Sequence, residues 1–359
     1  KVPRVNEIRV DGVPLLFTFA VTLVTTFFFG LIPALIASKP DLNRVLKDGG
    51  RGNSTSRSRW RELLVVVELG LSLVLLIGAG LLMNSFVKLQ SVDPGFEPRN
   101  VLTATISLAG ASQYVGSARE TLYRQLTEKL QSVPGIESAS AVNHLPLSGD
   151  TWGTNVTIAN HPLPPAGQEE NALFRVSRPG YFQTMGVALR EGRDFTERDT
   201  LDAPRVVIIN ETLAKKYWPS ETALGKQLTL DDPRNPSQPV QWLTIVGVVK
   251  DLKQRSWVEA PGNEIYLPFQ QDEIFSSGTA GPFTSMTLVV RTSIAPESLG
   301  NAIQQTVWSL DRNLPVSNIV SLEQVVADTL WQQRFNLQLI GLFAALALVL
   351  AAIGLYGVM

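Results

Sequence analysis

Three unbroken apolar runs constrain this chain more than any other feature: Leu15 to Ala37, Leu63 to Met83 and Leu337 to Met359. At 1.5 Å of rise per helical residue they would reach roughly 35, 31 and 34 Å, each enough to cross a hydrocarbon core of about 30 Å. A core helix of a soluble protein that long ordinarily keeps a polar face, and these runs keep none, so all three are expected to span a membrane. A cleaved signal peptide explains none of them, because polar residues precede the first run and no cleavage pattern follows it. Hydrophobic residues make up 45% of the chain and charged residues 18%, yet the long stretch between the second and third runs reads as ordinary soluble protein.

Glu68 is the single charge inside a run. An acid at the bilayer centre costs up to about 3 kcal/mol, whereas the Leu, Ile and Val residues from Leu63 to Leu82 return roughly 0.4 each, about 6 in all, so insertion survives it. Close to Arg61, Glu68 is expected to lean toward the interface or contact another helix rather than serve as a proton relay. Orientation follows from Ser38 to Arg61, where seven basic residues face two acidic ones, a net of +5. Short basic loops stay in the cytoplasm, so the long middle segment belongs outside, and the runs cross out to in, in to out, and out to in. Within that loop, Ser38-Lys39-Pro40-Asp41 opens a short amphipathic helix suited to lying on headgroups, and Asp48 to Arg59 reads as a flexible basic linker.

The external segment alternates between strand and helix signatures. Val101 to Leu108 alternates apolar with polar residues as a half-buried strand does, Ser117-Ala-Arg-Glu120 has the spacing of a capping box, and Leu122, Leu126 and Leu130 share a helical face. Pro134-Gly135 then stops the helix before a strand over Ile136 to Val142. The order returns later: Met286 to Arg291 as strand, a helix opened by Pro296 and lined by Leu299, Ile303 and Val307, and Val316 to Val320 as strand. Two such units are expected to share one ferredoxin-like sheet of split βαβ type. Between them lies a β-rich insert, with strands expected over Phe174 to Ser177, Val206 to Ile209, Trp242 to Val249 and Glu264 to Leu267. Ser321-Leu-Glu-Gln324 restarts a helix, and no Gly or Pro interrupts Leu322 to Ile340, which predicts a stiff junction with the third run.

Catalytic signatures are missing. A net charge of −1 argues against a general nucleic-acid binder, and the absence of cysteine excludes disulfides, thiolate metal sites and cysteine nucleophiles. No P-loop occurs, since Gly49-Gly50-Arg51-Gly52 lacks the lysine and the preceding strand. His144 and His161 stand alone, Ser148 follows no nucleophile elbow, and Glu169 with Glu170 and Asp231 with Asp232 read as solvated turn charges. Asn155-Val-Thr157 and Asn210-Glu-Thr212 match a glycosylation tripeptide that is frequent by chance. The chain is therefore read as no enzyme, with no catalytic, cofactor-binding or metal-binding residue and no cofactor. Small residues at Gly341 and Ala345, Ala347 and Ala351, and Gly354 and Gly357 predict a helix-packing face on the third run.

Several stretches carry a resemblance. They are Leu31-Ile-Pro-Ala-Leu-Ile-Ala-Ser-Lys-Pro-Asp-Leu, Leu71-Ser-Leu-Val-Leu-Leu-Ile-Gly-Ala-Gly-Leu-Leu, Val92-Asp-Pro-Gly-Phe, Arg178-Pro-Gly-Tyr-Phe, Gly192-Arg-Asp-Phe, Val246-Gly-Val-Val and Ala352-Ile-Gly-Leu-Tyr-Gly-Val. Their order and spacing over nearly the whole chain resemble the MacB/FtsX superfamily of ABC-type permeases, most closely the duplicated orphan permeases of the acidobacterial type. The resemblance implies a multi-pass protein of the bacterial inner membrane, with residues 1–37 ending one FtsX-like half and a cytoplasmic linker over 38–61. It further implies a transmembrane helix and its exit over 62–89, a MacB-like periplasmic core domain over 90–333 (core 99–147 and 285–333, insert 148–284), and a transmembrane helix opening the next FtsX-like domain over 334–359.

A chain that lacks Met at residue 1 and stops at Met359 within an apolar run is expected to be a piece of a longer protein. By resemblance its partners are a cytoplasmic ABC ATPase dimer, a second permease half in the same longer chain, a periplasmic adaptor and membrane lipid. The implied function is export, efflux or mechanotransmission driven by that separate ATPase. The alternative is a membrane-anchored extracytoplasmic sensor or binding protein without energy coupling.

Overall fold

The structure is a computed structural model that describes residues 12–27, 55–149, 152–165, 167–235, 237, 239–272 and 284–356. The chain divides into two units, one comprising residues 1–71 and 349–359, the other residues 72–348. In the first, α1 (Gly12–Thr26) is an apolar helix with exposed Leu16, Phe17 and Phe19. The rest of the first expected span lies outside the described residues, as do the expected cytoplasmic helix and the first part of the linker. Helix α2 (Thr55–Gln90) begins within the expected linker and places Arg57, Arg59 and Arg61 on its opening turns. Arginine is a good helix former, and Ser and Thr suit helix starts, so a basic stretch read as flexible can join the helix that follows it.

Two helices among the described residues are long and apolar enough to cross a membrane: Leu69–Leu89 within α2, and Trp331–Ile353 within α8 (Trp331–Tyr356). Only 6% and 11% of their apolar windows are buried. A soluble core helix would hide such a surface, so these helices fit spans.

The larger unit is an α/β fold. β1 (Val101–Ser107), α3 (Ser117–Gln131) and β2 (Ile136–Val142) form its first segment, and β10 (Ser285–Thr292), α6 (Gly300–Leu310) and β11 (Val316–Ser321) its last. The four strands lie in the order β11-β1-β10-β2 with every neighbour antiparallel. Period-two alternation sends Leu102, Ala104, Ile106, Leu288 and Val290 to one face, where Leu122, Leu126 and Leu130 of α3 and Ile303 and Val307 of α6 cover them. Full burial of each such leucine contributes roughly 1.5–3 kcal/mol. Helix α3 begins where its sequence predicts, but Gly116 at φ 63° occupies the cap position and Ser117 makes no capping bond.

The opposite face of the sheet packs Val101, Val142 and Val289 against Tyr181, Phe182 and Met185 of α4 (Tyr181–Met185) and against Leu322 and Leu330. Between β2 and β10 the chain adds β3 (Gly153–Ile158), β4 (Glu170–Ser177), β5 (Leu189–Gly192), β6 (Val206–Asn210), α5 (Glu211–Tyr217), β7 (Gln227–Thr229), β8 (Leu243–Val249) and β9 (Glu264–Pro268). All four strands expected in this stretch are present, with β4 four residues longer at its start, whereas β3, β5 and β7 carry too short or too mixed a pattern to be read. Six strands close into a ring: β4 pairs β3, β3 pairs β7, β7 pairs β8, β8 pairs β6, β6 pairs β9, and β9 returns to β4 in parallel. Val156, Ile158, Ala172, Val176, Val207 and Ile265 belong to the continuous apolar core on that side, so the ring is filled rather than hollow. One pairing, Val142 with Ser177, links it to the four-stranded sheet.

Candidate functional site

The chain leaves α2 through Val92-Asp-Pro-Gly-Phe. Asp93 Oδ1 accepts from the Gly95 amide at 2.8 Å, and its second oxygen pairs with Lys250. These two interactions, the lysine first, hold the Asp93 carboxyl below its ordinary range. Gly95 sits at φ +89°, and a Cβ there would lie 2.2 Å from the Asp251 carbonyl oxygen, so only glycine fits. Phe96 is buried beside α4, Lys253 N donates to Pro94 O at 2.9 Å, and Glu97 N donates to Met185 O at 2.9 Å. Arg291 on β10 closes the turn by donating to Thr184 O, Glu97 O and Arg99 O at 2.8, 3.1 and 3.2 Å.

The second helix exit is a corner. Ser321 caps α7 (Leu322–Thr329) by accepting from Gln324 N at 3.3 Å. The stretch from Leu322 to Ile340, expected to make a stiff junction because no Gly or Pro interrupts it, comprises two helices meeting at Leu330, whose φ −97° and ψ 0° depart from helical values. Leu330 is 4% exposed within the core, so packing rather than a continuous rod stiffens the joint. Trp257 Nε1 donates to Thr329 Oγ1 at 2.8 Å just before the corner. Within the same unit Ser72 Oγ donates to Ala347 O at 3.1 Å, and Arg334 lies 6.0 Å from the Phe86 ring centroid. The covered stripe of α8 runs through Leu337, Ile340, Ala344 and Ala347, at alternating three- and four-residue steps. Of the small residues expected on the packing face, Ala347 is half-buried and Ala351 buried, Gly341 and Ala345 are exposed, and Gly357 lies outside the described residues.

One segment, Lys250 to Trp257, therefore grips both exits. A buried polar chain anchors it. Arg175 Nη2 donates to Gln254 Oε1 at 2.9 Å, and Gln254 Nε2 in turn donates to Glu264. Burial pushes the Glu264 carboxyl up to about 7, with Arg175 acting against the shift. Asn210 caps α5, its Oδ1 accepting from Leu213 N and Glu264 N at 3.1 Å, while Nδ2 donates to Asp251 Oδ1 and Gly262 O at 2.8 Å. Asp251 also accepts from Thr212 N and Thr212 Oγ1 at 2.9 Å. A cleft of about 290 Å³ opens beside this segment, lined by Lys253, Arg255, Asn263 and Glu264 among others.

The remaining motifs serve the same frame. Arg178 is buried and pairs with Glu197 at 2.8 Å and Glu120 at 3.7 Å, and Gly180 at φ 80° turns the chain into α4. Gly192 at φ +77° would place a Cβ 2.1 Å from Val246 O, and Gly247 one 2.5 Å from Arg193 O, so two glycines let β5 and β8 approach. Asp194 is pushed up to about 6 by burial, although it accepts from Phe195 N at 2.6 Å, and Arg193 forks onto Asp199.

The weaker sequence candidates take structural roles. His144 stacks edge-on to Trp152 and His161 to Tyr217, at centroid separations of 4.3 and 5.3 Å. Ser148 Oγ donates to Leu145 O at 2.8 Å. Glu169 pairs with Arg234, and Glu170 binds Lys216 at 2.6 Å and Tyr217 OH at 3.2 Å, so neither is merely solvated. Asp231 accepts from Gln241 N at 2.7 Å and Asp232 pairs with Arg234 at 2.8 Å. Asn210 is buried, which removes its tripeptide as an acceptor in the folded chain. Among the described residues no three His, Asp or Glu side chains gather as metal ligands would. Sequence reasoning missed Arg175 and Glu264 because a buried charge in a strand looks the same as an outward one until its partner is placed, and it missed Gln254 and Trp257 because they lie in a segment without periodicity whose partners are distant in the chain.

Comparison with known proteins identifies the domain family. A MacB-like periplasmic core domain matches residues 63–306. The uncharacterized ABC transporter permease YknZ of Bacillus subtilis is 25% identical over 192 residues, covering 54% of this chain and 45% of the relative. The macrolide export ATP-binding/permease protein MacB of Aggregatibacter actinomycetemcomitans is 23% identical over 182 residues, covering 50% of this chain and 26% of the relative. The chain thus spans less than half the length of these curated relatives. Among solved structures, the periplasmic region of MacB from Actinobacillus actinomycetemcomitans is similar at a TM-score of 0.41 with 17% identity, covering 67% of this chain and 98% of that one. The extracellular domain of the noncanonic ABC-type transporter YknZ is similar at 0.36 with 16% identity, covering 61% of this chain and all of that one. With more than half its residues inside the matched region, the chain belongs to the MacB-like periplasmic core domain family.

Proposed function

We propose that this chain is part of the permease of a MacB/FtsX-type ABC system that exports substrate or transmits force, and that its external domain and membrane helices move as one body. The names of its relatives support the permease reading, since both contain the word permease, one as an ABC transporter permease and the other as an ATP-binding/permease protein. The observation that carries the mechanical reading is the Lys250–Trp257 segment, which holds the α2 exit through Asp93, Pro94 and Gly95 and the α7–α8 corner through Thr329. A flexible tether absorbs movement, whereas a domain clamped at both exits passes it on.

On this reading a separate cytoplasmic ATPase dimer supplies the energy, and a second permease half in the same longer chain and a periplasmic adaptor complete the assembly. The strand order β11-β1-β10-β2 with α3 and α6 on one face supports a ferredoxin-like core over 99–147 and 285–333, and the closed ring of strands supports a separate insert over 148–284. The apolar α1 supports the reading of a third span, and with it a multi-pass inner-membrane location; membership of the acidobacterial-type duplicated permeases is part of the same proposal and rests on the sequence resemblance.

Co-purification of the full-length protein with an ABC ATPase, and stimulation of that ATPase in a bilayer, tests the proposal. Stimulation that falls when the clamp is cut by Trp257→Ala, with ATPase binding retained, is the expected result. Full-length protein that stimulates no candidate ATPase refutes it and favours the uncoupled sensor.

A further inference from the structure

We propose that the Arg255–Ala260 tip of the clamping segment is a contact for lipid headgroups, with Val258 entering the interfacial layer and Arg255 meeting headgroup phosphates. The inference rests on the reading of α2 and α8 as spans and concerns what the domain does beyond them. Its height is fixed by one hydrogen bond: Trp257 Nε1 reaches Thr329 Oγ1 at 2.8 Å, two residues before α8 begins at Trp331. Trp331 opens the stretch of α8 that is long and apolar enough to cross a membrane, so this bond holds the tip beside the outer end of that stretch, close to the depth of a headgroup layer.

The tip is held in place rather than free to retract. Gln254 is tied to the buried Arg175 and Glu264, Lys253 Nζ donates to Glu259 O at 2.6 Å, and Val258 N donates to Ser256 Oγ at 3.2 Å. This frame presents Val258 at 77% exposure, an apolar side chain with no protein surface covering it. Arg255 is exposed, and no ion pair is seen for it among the described residues. Arg334 lies 6.0 Å from the ring centroid of Phe86 on α2, and Trp331 and Phe335 stand exposed on α8. An exposed arginine beside one apolar tip, with exposed aromatics on α8, suits the headgroup layer, where aromatic rings and the long stems of basic side chains both settle.

The absence of cysteine makes the test clean. The full chain is reconstituted in bilayers of phosphatidylcholine with or without phosphatidylglycerol, carrying a single spin label at Val258→Cys, at Leu342→Cys on the exposed face of α8, or at Val115→Cys past the far end of β1. Accessibility to oxygen and to a water-soluble nickel reagent then reports depth. The proposal expects the 342 label deep in lipid, the 115 label in water, and the 258 label at headgroup depth in the anionic bilayer, with that depth lost in Arg255→Gln. A 258 label as aqueous as the 115 label, with the 342 label in lipid, overturns the headgroup contact and leaves the spans standing. An aqueous 342 label overturns the span reading itself. A 258 depth indifferent to both phosphatidylglycerol and Arg255→Gln overturns the phosphate pairing.

Discussion

Glu264 is fully buried in the polar chain that anchors the clamp, and burial raises its carboxyl from an ordinary value near 4.5 to about 7. The folded chain therefore holds a proton there over a range in which the unfolded chain has released it. Bound protons are more numerous in the native state across that window, so stability falls as pH rises from about 4.5 to 7 and then levels. A tenfold difference in proton affinity between the folded and unfolded chain is worth about 1.4 kcal/mol, so roughly 3 kcal/mol separates the acid limit from the plateau above pH 7. Glu264→Gln keeps the acceptor for Gln254 Nε2 and removes the charge. The variant is expected to match the wild type near pH 4 and to exceed it by about 3 kcal/mol near pH 8. Urea unfolding of the full chain in detergent, followed by tryptophan emission from pH 4 to 8.5, measures the difference. Asp194, raised to about 6 by burial, slopes the same way in both proteins and cancels in the subtraction. A variant less stable than the wild type at pH 8, with wild-type stability climbing between pH 4.5 and 7, would show an ionised Glu264 serving Arg175 and refute the reasoning.

Gly95→Ala forces a side chain into a left-handed turn against a backbone carbonyl at 2.2 Å, and is expected to cost more than about 2 kcal/mol by the same unfolding assay, where a loss under 0.5 would remove Gly95 from the joint. Trp257→Phe keeps most of the buried ring and deletes the bond to Thr329; a loss of about 1 kcal/mol is expected, and a double-mutant cycle with Thr329→Val should show that the two losses are shared rather than additive. Asn210→Ala removes the α5 cap and takes from Leu213 N, Glu264 N and Gly262 O the bonds that Asn210 makes, leaving Asp251 only its bonds from Thr212, which predicts about 2–3 kcal/mol and faster amide exchange in β9 than in β1.

What the residues disclosed follows the physics of periodicity. Ile136–Val142 is a strand over the residues expected after the Pro134-Gly135 stop, and Leu122, Leu126 and Leu130 face the core as their four-residue steps require. The α2 and α8 surfaces are legible because an all-round apolar helix has few other uses. Closure of the ring was not legible, since it depends on the parallel pairing of β4 with β9 across four intervening strands and two helices, and no local pattern encodes a long-range partner. The break at Leu330 has no Gly or Pro to announce it; a leucine drawn into the core turns the chain there. The clamp lay half in view: Val92-Asp-Pro-Gly-Phe reads as a turn, but what fills the space beside Gly95 is decided by Asp251, far along the chain.

Spin labels at Gln305 on α6 and Leu342 on α8, both exposed, ask directly whether domain and helix form one body. In the reconstituted full chain the account predicts a single narrow distance distribution that broadens when Gly95→Ala and Trp257→Ala are introduced together. A distribution already broad in the otherwise unaltered chain, and unchanged by those two substitutions, would contradict it.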